Sequence, residues 1–393
     1  MTLAEERWFA TGHSTLPDPA AAGAAAADAA IAGRAPVVVF VFCSVGYHVP
    51  EMLDAVRARV ADGTVIVGAT TSGQMATGEV SGDGVAVVAL GGSGFQVRTR
   101  VARDVTGHPR AGGAAIAAGL DELDRPHRAL LMICDGLTGN QHEIIRGAFS
   151  VVGAAAPLVG GCAGDHLTYV RTYQFHGGRD GVEILTDAAI GVALGSDRPL
   201  SVGIAHGWHT TGDAMVVTSS RDGRVFELDG EPALDVVLRR LGLDESVLDD
   251  EQAFRELLVQ HPLGLSRRSG HDMRLLDGGD RTDRSLKCLA DVPQGALAWL
   301  MESDHGALVD GARESAVQAV DGLGGARPLG VLAFDCAARR VALGDHGVEQ
   351  EVAGISKELG DVPYGGFYTN GEIARLRGAL GMHHFTLVTL ALA

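Results

Sequence analysis

Positive charge is scarce in this 393-residue sequence: 32 lysines and arginines stand against 49 aspartates and glutamates, for a net charge of −17. Only Lys287 and Lys357 are lysines. Such a balance argues against a nucleic-acid backbone or an anionic lipid surface as partner. No apolar run approaches the roughly 20 residues that a membrane-spanning helix needs. The opening Met1-Thr2-Leu3-Ala4-Glu5-Glu6-Arg7 lacks a basic stretch followed by an apolar one, so no secretion signal is expected and the chain reads as soluble and cytoplasmic. Cysteine is sparse as well. Cys43, Cys134, Cys162, Cys288 and Cys336 are odd in number, widely spread and without a Cys-x-x-Cys pair. That argues against a disulfide framework or a structural zinc site and fits reduced thiols. The sequence has no glycine-rich dinucleotide fingerprint, no phosphate loop, no Gly-x-Ser-x-Gly elbow and no His-Glu-x-x-His. Nucleotide-dependent and serine-hydrolase chemistry lose their support, and no metal or cofactor is expected from spacing alone.

What is present is a folded chain, 46% hydrophobic and 21% charged, long enough for two domains. Glycine is abundant, at 55 residues, and it gathers where apolar runs end. Val37–Phe42 reads as a buried strand and Pro50 opens a helix with Met52, Leu53, Val56 and Val60 on one face. Thr64–Val67 is a second strand, running into Gly68-Ala69-Thr70-Thr71-Ser72-Gly73. The pattern returns with strand Ala129–Cys134, a helix from Asn140 to Val152, and Leu158-Val159 running into Gly160-Gly161. Cys43 precedes Gly68 by 25 residues (68 − 43) and Cys134 precedes Gly160 by 26 (160 − 134), an internal repeat. A looser third copy follows. Strand Leu329–Cys336 leads to a helix with Val348, Val352, Ile355 and Leu359 on one face, then to Gly365-Gly366, with Cys336 to Gly365 spanning 29 residues (365 − 336).

Between the second and third copies the texture changes. Val202–Ala205, Ala214–Thr218 and Val225–Leu228 read as short strands and Pro232–Leu241 as a helix. The acidic Leu243–Glu251 is the linker candidate, and Met273–Leu276, Ser285–Leu289 and Ala296–Met301 suggest an antiparallel meander. The expected fold is α/β with two domains and mixed sheets. Residues 1–243 form an internally duplicated N-terminal domain, with repeats at about 36–105 and 128–200, and residues 244–393 form a related C-terminal domain.

The motifs Val67-Gly-Ala-Thr-Thr-Ser-Gly-Gln74, Val159-Gly-Gly-Cys-Ala-Gly-Asp165, Gly207-Trp-His-Thr-Thr-Gly212, Phe334-Asp-Cys336 with Arg339, and Gly366-Phe-Tyr-Thr-Asn-Gly-Glu-Ile373 occur in the order found in the FIST family, which the chain resembles over almost its whole length. The sequence departs from the family pattern at Ala69 and Gln74, where a cysteine and an acid are usual, at Thr210-Thr211 and at His384. The resemblance implies ligand sensing, with an amino acid or related polar metabolite as ligand. It also implies signalling through a separate partner protein such as a kinase. One subgroup of the family carries haem and senses nitric oxide, for which His383 is the candidate axial ligand.

Glycine loops after buried strands are where α/β proteins place ligands. The expected ligand-binding residues are Ser72, Gly73, Gly161, Asp165, Cys336, Arg339, Tyr368, Thr369, Asn370, Gly371, Glu372 and His383. Arg339 would grip a carboxylate with its two-pronged donor and Glu372 an ammonium group. A cysteine-dependent enzyme using Cys336 with His383 and Glu372 is a further alternative.

Overall fold

The apolar run that the sequence places at Val37–Phe42 forms strand Pro36–Ser44, buried almost throughout. In the computed structural model, which describes residues 6–154, 156–267, 270–375 and 381–393, this strand pairs in parallel with Val65–Thr71. Its other edge pairs with Val85–Gly91, which in turn pairs with Trp8–Ser14. Helices Pro19–Ile31 and Val49–Arg57 cover the outer face. The first starts at Asp18, whose carboxylate accepts from Ala21 N at 2.7 Å, with Pro19 in the first turn. Its alanines lie so close to Gly12 that a side chain there would overlap the Ala26 carbonyl.

The same arrangement occurs twice more. The second unit has strands Phe95–Arg103, Ala188–Ser196, His127–Cys134 and Leu158–Cys162 side by side, with helices Pro109–Ala117 and Gln141–Val152 outside. The third has Leu200–Ala205, Leu387–Leu392, Gly330–Cys336 and Tyr364–Thr369 in the same order, backed by helices His305–Asp321 and Ala337–Leu359. In each unit the last two strands of this order are parallel and the other neighbours antiparallel. The chain is thus α/β, with three units of one design where the sequence shows two clear copies and a loose one.

Each unit also lends a hairpin to another, in a cycle. The second unit's Gln174–Gly178/Gly181–Leu185 hairpin extends the first unit's sheet. The third unit's Glu372–Arg375/Met382–His383 hairpin extends the second. The first unit's Gln74–Ala76/Glu79–Ser81 hairpin extends the third. The three inner faces share one apolar core, in which the Phe367 ring lies 4.5 Å from Phe42 and 5.7 Å from Phe334. An open-edged strand is protected by being paired, and here one edge of every unit is paired by a neighbour's hairpin.

Register aligns the units residue by residue. A side chain at Gly68, Gly160 or Gly366 would overlap the carbonyl of Val41, Met132 or Ala333 on the adjacent parallel strand. The third copy's key glycine is therefore Gly366. With Asp335 paired to Leu387 as Cys134 is to Ala189 and Cys43 to Val85, Asp335 occupies the register of those two cysteines. Cys336 stands one residue further on, correcting the matched-cysteine expectation. Gly160→Ala is expected to lower stability by about 1–3 kcal/mol or more through overpacking against a backbone that cannot swing away, measured as a shift in urea midpoint at unchanged m-value.

A fourth sheet is inserted between the third unit's first strand and its remainder. It is antiparallel and includes His209–Arg221, Arg224–Leu228, Leu263–Arg267, Leu286–Cys288 and Leu297–Glu302, with its own core under helices Ala233–Leu241 and Glu251–Val259. Two expectations change here. Leu200–Ala205 belongs to the third unit, across the expected boundary at 243. The proposed linker Leu243–Glu251 is an ordered turn of 3-10 helix, Glu245–Asp249, with Leu248 buried and Asp250 capping the next helix. No helix among the described residues is long and apolar enough to cross a membrane.

Candidate functional site

The loops that follow the third strand of each unit meet at one end of the molecule. Ser72, Gly164 and Asn370 are equivalent in register, each four residues beyond its unit's key glycine (72 − 68, 164 − 160, 370 − 366), and they touch. The Ser72 hydroxyl donates to Asn370 Oδ1 at 3.1 Å, and a side chain at Gly164 would lie 2.6 Å from Ser72 Oγ. Backbone bonds complete the closure: Ser72 N to Tyr368 O at 2.9 Å, Gly164 N to Thr70 O at 2.8 Å, and Cys162 N to Gly371 O at 2.9 Å. Convergence of the glycine loops, expected from the repeat, is what the geometry displays.

Several residues expected to touch a ligand are instead consumed by the fold. Arg339 has no solvent exposure. Its guanidinium donates to Asp335 Oδ1 at 2.8 Å, to the carbonyls of His206 (2.6 Å) and Leu308 (3.1 Å), and to Glu351. It has no fork to offer a carboxylate ligand. Glu372, equally buried, accepts from Thr369 Oγ1 at 2.8 Å and from Thr386 N and Oγ1 at 3.1 and 2.9 Å. Burial raises its pKa to about 7, against the pull of these hydroxyls and the Cys336 thiol. It is not placed to pair with a ligand ammonium group. The Cys336 thiol is itself pushed well above its ordinary range, first by burial and then by Glu372, the reverse of what a nucleophile needs. The Tyr368 hydroxyl donates to Glu351 Oε2 at 2.8 Å. Gly73, Gly161 and Gly371 are close-packing positions, where a side chain would crowd Tyr368, Thr369 and Met382 respectively.

Asp165 has a different task. From Ser72 to Gln74 and from Asn370 to Glu372 is two residues, but from Gly164 to the equivalent Gln174 is ten (174 − 164). The eight extra residues form a strap. Three of them, His166, Leu167 and Tyr169, adopt left-handed φ of 59°, 59° and 54°, a conformation that costs energy unless held. Asp165 holds it, accepting from Thr168 Oγ1 (2.8 Å), Tyr169 N (3.1 Å), Val170 N (2.7 Å) and Arg171 N (3.0 Å). Burial pushes its pKa up, but these bonds outweigh it and the net shift is downward. Asp165→Ala is expected to release the strap and destabilise the protein by about 1–3 kcal/mol; limited proteolysis should then cut near the exposed Val170 before any other site.

Beside the junction lies a cleft of about 540 Å³ between the second unit and the inserted sheet. Gly136 and the helix start at Asn140, Gln141 and His142 form one wall, Asn370, Met382 and His384 the floor, and Cys288 and Asp291 the far side, with Tyr169 of the strap at its edge. Asn370 Nδ2 is buried with no partner among the described residues. His384 is 6% exposed, and burial, then Arg274 and His142, depress its pKa to about 3. His142 is depressed by the same kind of surroundings, burial first and then Arg274. Both rings are neutral near pH 7, each with one N–H donor and one acceptor. The Asn140 side chain makes no capping bond to the helix Gln141–Val152, and with Glu143 N bonded to the Asn140 carbonyl at 3.0 Å, the Gln141 and His142 N–H groups are the ones left for an acceptor among the described residues.

His383, the expected histidine, sits differently from its neighbour. Its Nε2 bonds the Ala374 carbonyl at 2.9 Å, because successive residues of an extended segment face opposite ways. That ring nitrogen is spent, and the cleft mixes amide and imidazole groups with the apolar Leu137, Leu289 and Met382. An axial bond from His383 Nε2 to a haem would have to displace the Ala374 carbonyl. Ser72 reaches a smaller hollow of about 280 Å³, shared with His166 and Arg340. Asn140, Gln141, His142 and His384 were passed over in the sequence; the polar run directly after buried strand Ala129–Cys134 was the available signal.

The FIST N domain model matches residues 37–231 and the FIST C domain model residues 233–375. The uncharacterised protein Mb0898c of Mycobacterium bovis is 26% identical over 389 residues, covering 95% of this chain and 96% of its own. The uncharacterised protein Rv0628c of Mycobacterium tuberculosis is 28% identical over 211 residues, 52% of this chain and 53% of its own. A solved cyanuric acid hydrolase structure overlaps 98% of this chain and 100% of its own at 13% identity, but its TM-score of 0.29 carries no argument. With both models matched in order across residues 37–375, the chain belongs to the FIST family, whose domains are associated with sensory signal transduction.

Proposed function

We propose that the protein is a sensor that binds an amino acid or a related polar carboxylate metabolite in the 540 Å³ cleft and relays occupancy to a separate signalling protein such as a kinase. The observation that carries this is Asn370: its Nδ2 is buried with no hydrogen-bond partner among the described residues, and the side chain lines a cleft beside a helix start. A buried polar group left without a partner costs roughly 1–3 kcal/mol, and a ligand that completes it recovers that cost on binding. Ligand oxygens would accept from the His384 ring, Asn370 Nδ2 and the first-turn N–H groups of helix Gln141–Val152. Asp291 on the far wall suits an ammonium group.

Thermal-shift screening against amino acids and related carboxylates tests this. A ligand at 100 times its Kd should raise stability by about 2.7 kcal/mol, and Asn370→Leu should abolish the shift while leaving the unliganded midpoint within a few degrees. A broad panel without any stabilisation would remove the proposal. The cysteine-enzyme alternative gains no support, since Cys336 lies outside the cleft lining and its thiol is held protonated.

A further inference from the structure

On the other side of the strap lies a second cavity with different chemistry, about 520 Å³ in volume. Leu167, Val259, Leu275, Leu276, Ala338 and Val341 give it apolar walls. Its rim is acidic. Glu251, Glu256 and Asp277 line it, and the only arginine there, Arg255, is already bound to Asp277 through Nε–Oδ1 at 3.1 Å and Nε–O at 3.3 Å. Glu256 accepts from Gln252 Nε2 at 3.1 Å, and neither it nor Glu251 has a cationic partner among the described residues. The remaining titratable groups are Tyr169 and His166, and the His166 Nε2 lies 3.2 Å from Ser44 Oγ and 3.5 Å from Asp83 Oδ1. Two carboxylates without counter-charges beside an apolar hollow repel an anion, and they gain from a cation whose body fills the hollow.

We propose that this cavity is a second binding site, for a small primary amine with an apolar body the size of a single ring. The ammonium group sits at Glu251 and Glu256, and the ring packs among Leu167, Val259, Leu275 and Val341. Its chemistry is the complement of the first cleft's, so the two sites admit different molecules, and neither proposal depends on the other.

Isothermal titration of the full chain with 2-phenylethylamine and with the near-isosteric 3-phenylpropionate tests it. The amine should bind at one site per chain, with the carboxylate at least about tenfold weaker. The exposed double variant Glu251→Gln/Glu256→Gln should weaken the amine about tenfold and leave its unfolding midpoint unchanged. Leu275→Trp, which fills the hollow, should abolish binding; should that variant be unstable, Val341→Trp closes the same space from a partly exposed position. No measurable amine binding, equal affinity for amine and carboxylate, or amine affinity unaltered in the double variant would each overturn the proposal. None of these substitutions lines the first cleft, so such a failure leaves the amino-acid proposal to its own test.

Discussion

Replacing Arg339 by methionine is expected to destabilise the protein by about 3–5 kcal/mol, because it leaves buried carboxylates without their counter-charge. Asp335, Arg339 and Glu351 all have zero exposure, and the guanidinium holds both acids while also tying in the His206 and Leu308 carbonyls. The Asp335 carboxyl is already pushed well above its usual range by burial and by Glu351. Without the arginine both acids must take up protons or draw in water. The triple variant Arg339→Met/Asp335→Asn/Glu351→Gln should recover much of the loss, since removing a whole buried ionic group is far cheaper than orphaning half of it. Chemical denaturation of wild type, single and triple variants measures this. A single variant within 1 kcal/mol of wild type would mean that the cluster contributes little to holding the third unit together.

The second large effect is a pH dependence that Glu372→Gln should erase. The Glu372 pKa is raised to about 7 from the ordinary 4.5, principally by burial. Below about 4.5 the group is protonated in both folded and unfolded chains and contributes nothing. Between about 4.5 and 7 the unfolded chain ionises it while the folded chain retains the proton, so stability falls as pH rises. Above 7 the full penalty stands. The difference, 7 − 4.5, corresponds to about 3 kcal/mol. Glutamine removes this and keeps most of the hydrogen bonds, and the equivalent positions in the other two units are already glutamines, Gln74 and Gln174. The variant should therefore match or exceed wild-type stability at pH 8 and fall relative to it by about 2–3 kcal/mol on going to pH 5. Urea midpoints for both proteins across that range decide it, and parallel curves would place the Glu372 pKa near its ordinary value.

Strand-then-glycine units were legible in the sequence because they are local. An uninterrupted apolar run and a glycine forced by close strand approach leave their mark within a few residues. The hairpin exchange was not legible. Gln74–Ala76 could pair with any exposed edge, and which edge it takes is settled by packing among units nearly 300 residues apart (367 − 74). The same limit misplaced Arg339. Its spacing from Asp335 is four residues, but Glu351, His206 and Leu308 reach it only through the tertiary fold. Asp165 and Glu372 read as ligand groups because a polar residue in a glycine loop looks alike whether it faces a ligand or its own backbone. His384 was within reach, one residue from the histidine chosen. Alternation along the chain decides between the two, and the strand Met382–His383 is too short for its phase to show in sequence.

The most direct test is native mass spectrometry of the purified chain and of His384→Phe, each incubated with a mixture of amino acids and related carboxylates. The wild type should retain one small polar acid per chain, and the variant, equally folded by circular dichroism, should retain none. Indistinguishable adduct spectra from the two proteins, or a wild type that retains nothing, would contradict a ligand site at the meeting point of the three loops.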